Sequence, residues 1–198
     1  MKRGLQEADI LLTTGGSSMG SSDLLKPVIE RHLNGTVHFG RVNIKPGKPT
    51  TFATVDSKPI FALPGNPASA LVMFYIFVLP ALRMLGGWST VKCSLPRVRA
   101  KVSLFNPGGN LLNIAPPQIS EEMYVDTRPE FHRVYVRASG GGLIASSTGG
   151  QRSSRIASLA GANGLVVLPG RAKEDKNDRL QSGTEIDVIM IGEMGSTE

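Results

Sequence analysis

Residues 9–23 read D-I-L-L-T-T-G-G-S-S-M-G-S-S-D, and this stretch sets the expectation for the first half of the chain. A short apolar run ends at Gly15 and Gly16, as a buried parallel strand does when it leaves a sheet. Candidate N-caps at residues 21–23 then precede a helix that continues to about Leu33. A strand that runs through a glycine-rich turn into a helix is typical of an α/β fold.

Three further strand patterns and one long helix follow this unit. The strands are predicted at Val37–Asn43, Pro49–Val55 and Pro59–Leu63. The helix runs from Ala68 to about Leu85, and a kink is expected at Pro80. Apolar side chains surround this helix almost completely, so we expect it to be buried against a sheet or a partner.

The second half of the chain is rich in strand patterns separated by turn residues. Strands are predicted at Arg97–Leu104, Arg133–Ala138, Leu165–Leu168 and Glu185–Ile191. Short strands with frequent glycine and proline turns are typical of a small β-barrel or β-sandwich. The polar, proline-rich residues 106–128 are interpreted as a long loop or insertion.

Composition and charge limit the possible functions. The 198 residues carry 22 basic and 16 acidic side chains, a net charge of +6. Residues 1–91 hold 9 basic and 5 acidic side chains, and residues 92–198 hold 13 and 11. No basic helix with interleaved aromatic residues is found, so we expect no nucleic-acid partner. The positive excess in the first half favours a local site for an anionic small molecule.

The sequence also argues against an extracellular or membrane location. One cysteine, Cys93, cannot form an internal disulfide, and the three histidines show no zinc-ligand spacing. The longest apolar run, Ala68–Leu82, is shorter than the ~20 residues that span a bilayer, so no membrane insertion is expected. Glu7 and Asp9 interrupt any apolar segment near the start. A signal peptide is therefore not expected, and a cytoplasmic location is.

The loop at residues 15–23 has the composition of a phosphate or anion cradle. Its glycines allow backbone N–H groups to approach a ligand, its hydroxyls add donors, and the following helix start favours negative charge. It is not a Walker A loop, because no lysine follows the glycines. Asp23 is placed to hold Mg²⁺ against ligand phosphates. The plain alternative is a tight turn with Asp23 as an N-cap.

Two proline-containing turns are further candidates. In Lys45-Pro-Gly-Lys48-Pro49, two ammonium groups flank a restrained turn, which suits a multiply charged oxyanion. In residues 63–67, L-P-G-N-P, Asn66 is a good N-cap for the long helix, whose N–H groups are placed to face a ligand. A solvated hairpin turn and ordinary helix initiation are the respective alternatives.

Cations and hydroxyls also occur together in the second half. They lie in residues 128–133, R-P-E-F-H-R, and in residues 148–155, T-G-G-Q-R-S-S-R. Each segment is either an anion contact or a solvated surface.

In combination, these motifs resemble one known family. T-T-G-G-x-S-M-G-x-x-D, K-P-G-K-P-T-T-F-A, L-P-G-N-P-x-S-A, R-P-E-F-H-R and T-G-x-Q-x-S-S-R occur in this order within residues 9–192. The set resembles the molybdopterin molybdenumtransferases, which include bacterial MoeA, the plant Cnx E domain and the gephyrin E domain. Each motif alone is modest evidence, whereas five in order are specific.

The resemblance implies an α/β fold and a reaction. Residues 1–90 would form the C-terminal part of a three-layer αβα, MogA-like molybdopterin-binding domain. Residues 91–198 would form a small all-β barrel similar to domain IV of MoeA. The implied activity inserts molybdate into adenylylated molybdopterin and releases AMP, with Mg²⁺ as cofactor. The implied partners are a molybdopterin adenylyltransferase domain or protein and, in the full-length form, a second copy of the chain.

The resemblance also assigns residues to the site. Molybdate would be bound by Lys45, Lys48, Pro49, Arg133 and Ser154. Lys45, Lys48 and Asp23 would be catalytic, with Asp23 near the metal. The molybdopterin and nucleotide phosphates would be held by Thr14, Gly15, Gly16, Ser17, Ser18, Gly20, Asn66 and Ser69.

The chain departs from the family pattern in two respects. Family members carry two additional N-terminal subdomains, and this chain starts at what resembles the middle of their central domain. A truncated product or fragment is therefore expected, with exposed sheet edges and apolar surface. Ser17 stands where the family often has Val.

Three other functions stay open at this point. They are a gephyrin-like scaffold or binding module, a sister adenylyltransferase that shares the T-T-G-G loop, and an inactive fragment. K-P-G-K-P and the predicted β domain argue against the adenylyltransferase.

Overall fold

The computed structural model describes residues 1–16, 24–103, 123, 125–154, 156–172 and 179–194. Its first part contains a four-stranded sheet in the order β1-β4-β3-β2, in which β1 runs parallel to β4 and the other neighbours are antiparallel. The strands are β1 Leu11–Thr14, β2 Thr36–Phe39, β3 Thr51–Val55 and β4 Lys58–Leu63. Asp56 and Ser57 turn β3 into β4 with φ of 49° and 65°, the left-handed conformation of a tight hairpin turn.

Helices cover both faces of this sheet. They are α1 Lys2–Glu7, α2 Leu25–Pro27 with its π-helical continuation Val28–His32, and α3 Pro67–Leu85. A short helix, α4 Thr90–Cys93, packs against the end of α3. On one face, Ile29 of α2 packs with Ala53, Val55 and Ile60. On the other face, Phe61 and Leu63 pack with α3. The period-two alternation along β4 thus separates two cores and gives the three layers that the family resemblance implies.

Helix α3 contains a π-helical turn, Phe74–Val78, between the α-helical segments Pro67–Met73 and Leu79–Leu85. Pro80 explains its position, because proline has no N–H to donate to Ile76 and its ring crowds that carbonyl. The predicted kink is therefore realised as a widened turn.

By length and composition alone, α3 is the one helix in the described ranges that would be able to cross a membrane. The 19-residue helix is longer than the apolar run noted in the sequence. Its residues Val72, Met73 and Val78 are completely buried against β4 and the barrel. Only 28% of its apolar window is buried, however, and Leu71, Met84 and Leu85 are exposed, so this part of the chain does not cover the helix on all sides as its sequence predicts.

The second part is a closed barrel in the order β5-β7-β6-β8-β9, with β9 paired back to β5. The strands are β5 Arg97–Ser103, β6 Glu130–Ser139, β7 Gly142–Ser147, β8 Gly164–Leu168 and β9 Glu185–Met190. Val134, Val136, Val166 and Val188 fill the interior and are completely buried. Of the predicted alternatives, the barrel is the one observed.

The outer face of the barrel contributes to the core beneath α3. Leu165 of β8 and Ile189 of β9 point away from the barrel interior and pack with Phe61, Leu63 and α3. Both faces of β8 are therefore buried, which explains its unbroken apolar sequence, G-L-V-V-L.

Predicted and observed elements agree in type and differ at their ends. The structure confirms the α/β class. Strand β7 was missed, because its sequence G-L-I-A-S-S has small residues and follows a glycine run that reads as a turn. Most of the predicted loop at 106–128 lies outside the described residues. The domain boundary between residues 90 and 91 stays a prediction.

Candidate functional site

The glycine turn after β1 and the L-P-G-N-P turn after β4 lie side by side. Gly15 and Gly16 have φ of 80° and 69°, a conformation that favours glycine. The Gly15 N–H donates to the Leu63 carbonyl at 3.1 Å. A Cβ on Gly65 would lie 3.5 Å from the Gly15 Cα. The carboxyl ends of two neighbouring parallel strands, where α/β sheets bind ligands, therefore carry both turns.

An apolar cavity of about 420 Å³ opens beside these two turns. Its size falls within the range of small-molecule sites. It is lined by Leu12, Thr14, Leu63, Gly65, Pro67, Ala70, Leu71 and Phe74. The predicted phosphate-binding residue Thr14 thus lies at the edge of a predominantly apolar cavity. Four predicted residues, Ser17, Ser18, Gly20 and Asp23, lie outside the described ranges.

Asn66 links the start of α3 to the barrel. Its backbone is extended and its carbonyl accepts the first helical bond from the Ala70 N–H, as expected of an N-cap. Its side chain caps nothing in the helix and instead donates from Nδ2 to the Ser153 Oγ at 2.9 Å. The L-P-G-N-P turn therefore meets the T-G-G-Q-R-S-S-R segment, next to the predicted residue Ser154. Ser69, one turn into α3, is buried.

The K-P-G-K turn, residues 45–48, is packed tightly against α3. The N–H and the hydroxyl of Thr50 both donate to the Gly47 carbonyl, at 2.9 and 2.6 Å. Gly47 has a φ of 114°, and a Cβ there would meet the Met73 sulfur. The positive φ and the contact with the Met73 side chain both favour glycine here, and Lys48 follows directly after it.

Main-chain hydrogen bonds join the K-P-G-K turn to the barrel. The Lys45 N–H donates to the Pro129 carbonyl at 2.8 Å, and the Phe131 N–H donates to the Lys45 carbonyl at 2.7 Å. Lys45 and Glu130 thereby form a parallel β-bridge. The turn is held between α3 on one side and the start of β6 on the other.

Two carboxylates of the barrel face the ammonium group of Lys45. Its Nζ lies 3.0 Å from the Glu130 Oε2 and 3.4 Å from the Asp126 Oδ2. Asp126 also accepts hydrogen bonds from the Arg128 side chain at 3.1 and 3.2 Å, and these hold the pKa of its carboxyl well below the usual value. Burial raises the pKa of Glu130, but His132 and Lys45 outweigh it, and the net pKa is lowered. Both carboxylates are therefore ionised at neutral pH.

His132 is buried behind Glu130. Its Nδ1 lies 3.7 Å from the Glu130 Oε1, and a 2.9 Å hydrogen bond joins its Nε2 to the Ser147 Oγ. Burial lowers the pKa of His132 below its usual value of 6.5, so the ring is neutral at pH 7. The neutral ring adds no charge, so the groups that face the ammonium of Lys45 are the negatively charged carboxylates of Glu130 and Asp126.

Arg133 is a completely buried cation beneath the T-G-G-Q-R-S-S-R segment. Its Nε donates to the Ser158 Oγ at 2.7 Å, and its backbone N–H donates to the Gln151 side chain at 2.8 Å. Its Nη1 is buried and has no hydrogen-bond partner among the described residues. Burial lowers the pKa of Arg133 to about 10, so the guanidinium keeps its charge at neutral pH. Ser154, its predicted partner, is exposed.

The predicted residues thus form two groups along the interface of α3 with the barrel. The first group joins the glycine turn, Asn66 and the loop that covers Arg133. The second joins the K-P-G-K turn to β6. Within the described ranges, neither Lys45 nor Lys48 is hydrogen-bonded to the glycine turn. The two groups are related through α3, because Asn66 and Met73 are seven residues apart, about 10 Å along the helix axis.

Sequence reasoning missed the carboxylates of the second group. The R-P-E-F-H-R motif predicts an anion contact through its cations, whereas its carboxylate, Glu130, faces Lys45 together with Asp126 from just before the motif. The signal was the alternation of Glu130 and His132 with apolar residues on a strand, which points both side chains to the same side.

The described residues do not form a metal centre. No group of three or more His, Cys, Asp or Glu residues within them is arranged to hold a metal ion. Asp23, the residue linked to Mg²⁺ by the resemblance, lies outside the described ranges. The residues in view therefore do not fit Mg²⁺ on their own.

Comparison with known proteins finds a different family model for each half of the chain. Residues 1–84 match the probable molybdopterin binding domain, and residues 125–191 match the MoeA C-terminal region, domain IV. The molybdenum cofactor synthesis protein cinnamon of Drosophila melanogaster is 45% identical over 166 residues, 84% of this chain and 25% of that protein.

Two further relatives and a solved structure extend the match. Gephyrin of Dictyostelium discoideum is 38% identical over 94% of this chain and 26% of its own length. The molybdopterin molybdenumtransferase of Bacillus subtilis is 31% identical over 100% of this chain and 40% of its own length. The MoeA structure from Pyrococcus horikosii superposes with a TM-score of 0.67 at 25% identity, over 97% of this chain and 39% of that one. The chain spans between a quarter and two fifths of the length of these relatives.

Proposed function

This chain belongs to the molybdopterin molybdenumtransferase family of molybdenum cofactor biosynthesis, together with MoeA, cinnamon and gephyrin, and we propose that it serves the insertion of molybdate into adenylylated molybdopterin. In the proposed reaction AMP leaves as molybdate enters. We further propose a cytoplasmic location, a homodimer in the full-length protein, and a molybdopterin adenylyltransferase domain or protein as the source of the substrate.

One observation carries the proposal. The K-P-G-K turn is fixed between α3 and β6, and Asn66 at the start of the same helix is bonded to Ser153 of the barrel. Motifs that are far apart in sequence therefore meet along one interface. An oxyanion site needs cations and N–H donors that are held in place before the ligand arrives.

In this proposal the residues divide between the two anionic substrates. Molybdate is a dianion, and Lys45, Lys48 and Arg133 supply positive charge for it, with Pro49 as a rigid wall and Ser154 as a hydroxyl donor. The N–H groups of Gly15 and Gly16 and the hydroxyls of Thr14, Ser17 and Ser18 hold the phosphates of adenylylated molybdopterin, next to Gly20, Asn66 and Ser69. Asp23 keeps its proposed place near Mg²⁺, but no step here depends on the metal.

Cofactor formation is the decisive assay. The chain is incubated with adenylylated molybdopterin and molybdate, and both AMP release and activation of a molybdenum-dependent apoenzyme are measured. We expect Lys48→Met to lower the rate at least tenfold at limiting molybdate, because it removes an exposed cation of the turn. Lys101→Met, which removes an exposed cation from the barrel, is the matched control and should stay within twofold of wild type. Equal rates for the two variants would contradict the assigned site.

A further inference from the structure

Arg133 is a buried cation that pairs with no carboxylate of the described residues. Its side chain is completely buried, and none of the ion pairs in the described ranges includes its guanidinium. The Nε donates to the Ser158 Oγ, the Nη2 donates to the Arg152 carbonyl at 3.4 Å, and the Nη1 has no partner there. A buried charge is costly unless it is paired, so this guanidinium is suited to take an anion as its counter-ion.

The segment that lies over Arg133 is weakly held. Residues 149–154, G-G-Q-R-S-S, contain no aliphatic or aromatic residue, and none of them is buried. The segment therefore gains no stability from a hydrophobic core. A segment that polar contacts alone hold in place opens at a lower cost in free energy than the strands around it.

A side chain, rather than a strand, joins this segment to β6. Strand pairing between β7 and β6 ends at Ser147 and Val134. Beyond that point the Gln151 side chain accepts a hydrogen bond from the Arg133 N–H at 2.8 Å and donates one to the Arg133 carbonyl at 3.2 Å. Residues 149–154 are therefore able to move away from β6 while the pairing of the barrel strands stays intact.

In the part of the chain that the structure describes, one hydrogen bond connects residues 149–154 to α3. The Asn66 Nδ2 donates to the Ser153 Oγ at 2.9 Å, and this bond is exposed. Such a bond contributes little net free energy, because water replaces it when it breaks. Arg133 is also held from outside the segment, since its Nε is bonded to Ser158 at 2.7 Å. The guanidinium therefore keeps its orientation when the segment moves.

We propose that residues 149–154 form a gate over Arg133, latched to α3 by the hydrogen bond between Asn66 and Ser153. In the closed form the guanidinium is out of reach of ions in the solvent. In the open form Nη1 and Nη2 are free, and Ser158 holds them in place for an oxyanion. The identity of that ligand, molybdate, rests on the proposed function, whereas the latch does not depend on it.

Hydrogen exchange of backbone amides, followed by NMR on the complete 198-residue chain, tests the latch without a ligand. The Arg133 N–H reports on the gate, because its acceptor is Gln151. The Val136 N–H is the matched control, since its acceptor is the Asn163 side chain, outside the gate. Ser153→Ala should speed exchange at Arg133 by about two- to twelvefold, as expected for the loss of one hydrogen bond. Exchange at Val136 should stay at the wild-type rate.

Asn66→Ala removes the same bond from the helix side. It should speed exchange at Arg133 as much as Ser153→Ala does, and the double variant should exchange no faster than either single variant. Unchanged exchange at Arg133 would overturn the latch, and so would additive effects in the double variant. Equal acceleration at Val136 would also overturn it, because the whole barrel would then be destabilised.

Molybdate tests the gate itself. An anion that binds only the open form raises the population of that form, so molybdate should speed exchange at Arg133 relative to sodium chloride of equal ionic strength. Arg133→Met should lose this response at the same N–H. Slower exchange with molybdate would overturn the gate, because the anion would then reach Arg133 in the closed form. If molybdate has no effect but both latch variants speed exchange, the latch is confirmed and the proposed ligand is wrong.

Discussion

Replacing Gly47 by alanine is expected to destabilise the protein and to displace the cation of Lys48. Gly47 has a φ of 114°, a region that residues with a Cβ rarely adopt. An added Cβ would meet the sulfur of Met73 and would lie 2.6 and 2.8 Å from its Cγ and Cε, and this side chain is completely buried. Either the Met73 side chain or the turn must therefore shift in the variant.

The size of the effect follows from these two contributions. A non-glycine residue in a sparsely populated backbone region costs about 1–3 kcal/mol. Forcing an extra carbon into a packed core costs about 1–3 kcal/mol more. The sum is about 2–6 kcal/mol, a large share of the ~5–15 kcal/mol by which domains are stable. For a chain of this length it corresponds to a fall of about 4–24 °C in the unfolding midpoint.

Circular dichroism on heating measures this fall. Gly141→Ala is the matched control, because an added Cβ there meets no atom within 4 Å and the midpoint should change little. In a Met73→Ala background the steric contribution should vanish, which leaves about 1–3 kcal/mol for Gly47→Ala. A drop of less than about 2 °C for the single variant would refute the reasoning. Molybdate binding should weaken in Gly47→Ala, since Lys48 moves with the turn.

Three other predictions concern different contacts. Asn66→Ala removes the hydrogen bond to Ser153, so the free energy of unfolding in urea should fall by about 0.5–1.5 kcal/mol. A fall of more than about 3 kcal/mol would mean that Asn66 stabilises the protein by more than this bond. Burial lowers the pKa of His132 below 6.5, so the unfolded chain protonates this ring more readily than the folded chain does. The free energy of unfolding should therefore fall as the pH drops below about 6.5. The contribution of this group is at most about 1.4 kcal/mol per pH unit. His132→Gln should lose that slope between pH 6.5 and 5 in urea titrations, and an unchanged slope would assign it elsewhere. Leu12 and Leu71, 40% and 39% exposed beside the apolar cavity, should promote self-association, so changing both to Lys should reduce light scattering without lowering the unfolding midpoint.

Elements with strong local signals were predictable from the sequence. The run that ends at Gly15 and Gly16 forms β1, and the Asp56 and Ser57 turn joins β3 to β4, as their residue types indicate. The glycine conformations in the K-P-G-K and T-T-G-G turns also follow from composition. These features depend on residues that are neighbours in the chain, so the sequence alone contains the necessary information.

The long-range contacts of the site were not predictable in the same way. Lys45 and Glu130 are 85 positions apart, and no local pattern identifies a counter-ion at that distance. The position of the L-P-G-N-P turn was predictable, but its hydrogen bond to Ser153 depends on how the barrel lies against α3. The resemblance named the segments that meet, whereas the structure shows which atoms do.

The packing of Leu165 and Ile189 affects how the protein unfolds. They belong to barrel strands by sequence, yet their side chains pack with the core around α3. An isolated barrel would expose these two apolar side chains to water, and the core between the isolated sheet and α3 would lose their contacts. Unfolding of one part therefore exposes apolar side chains of the other to water. The barrel and the sheet with its helices should consequently unfold together rather than independently.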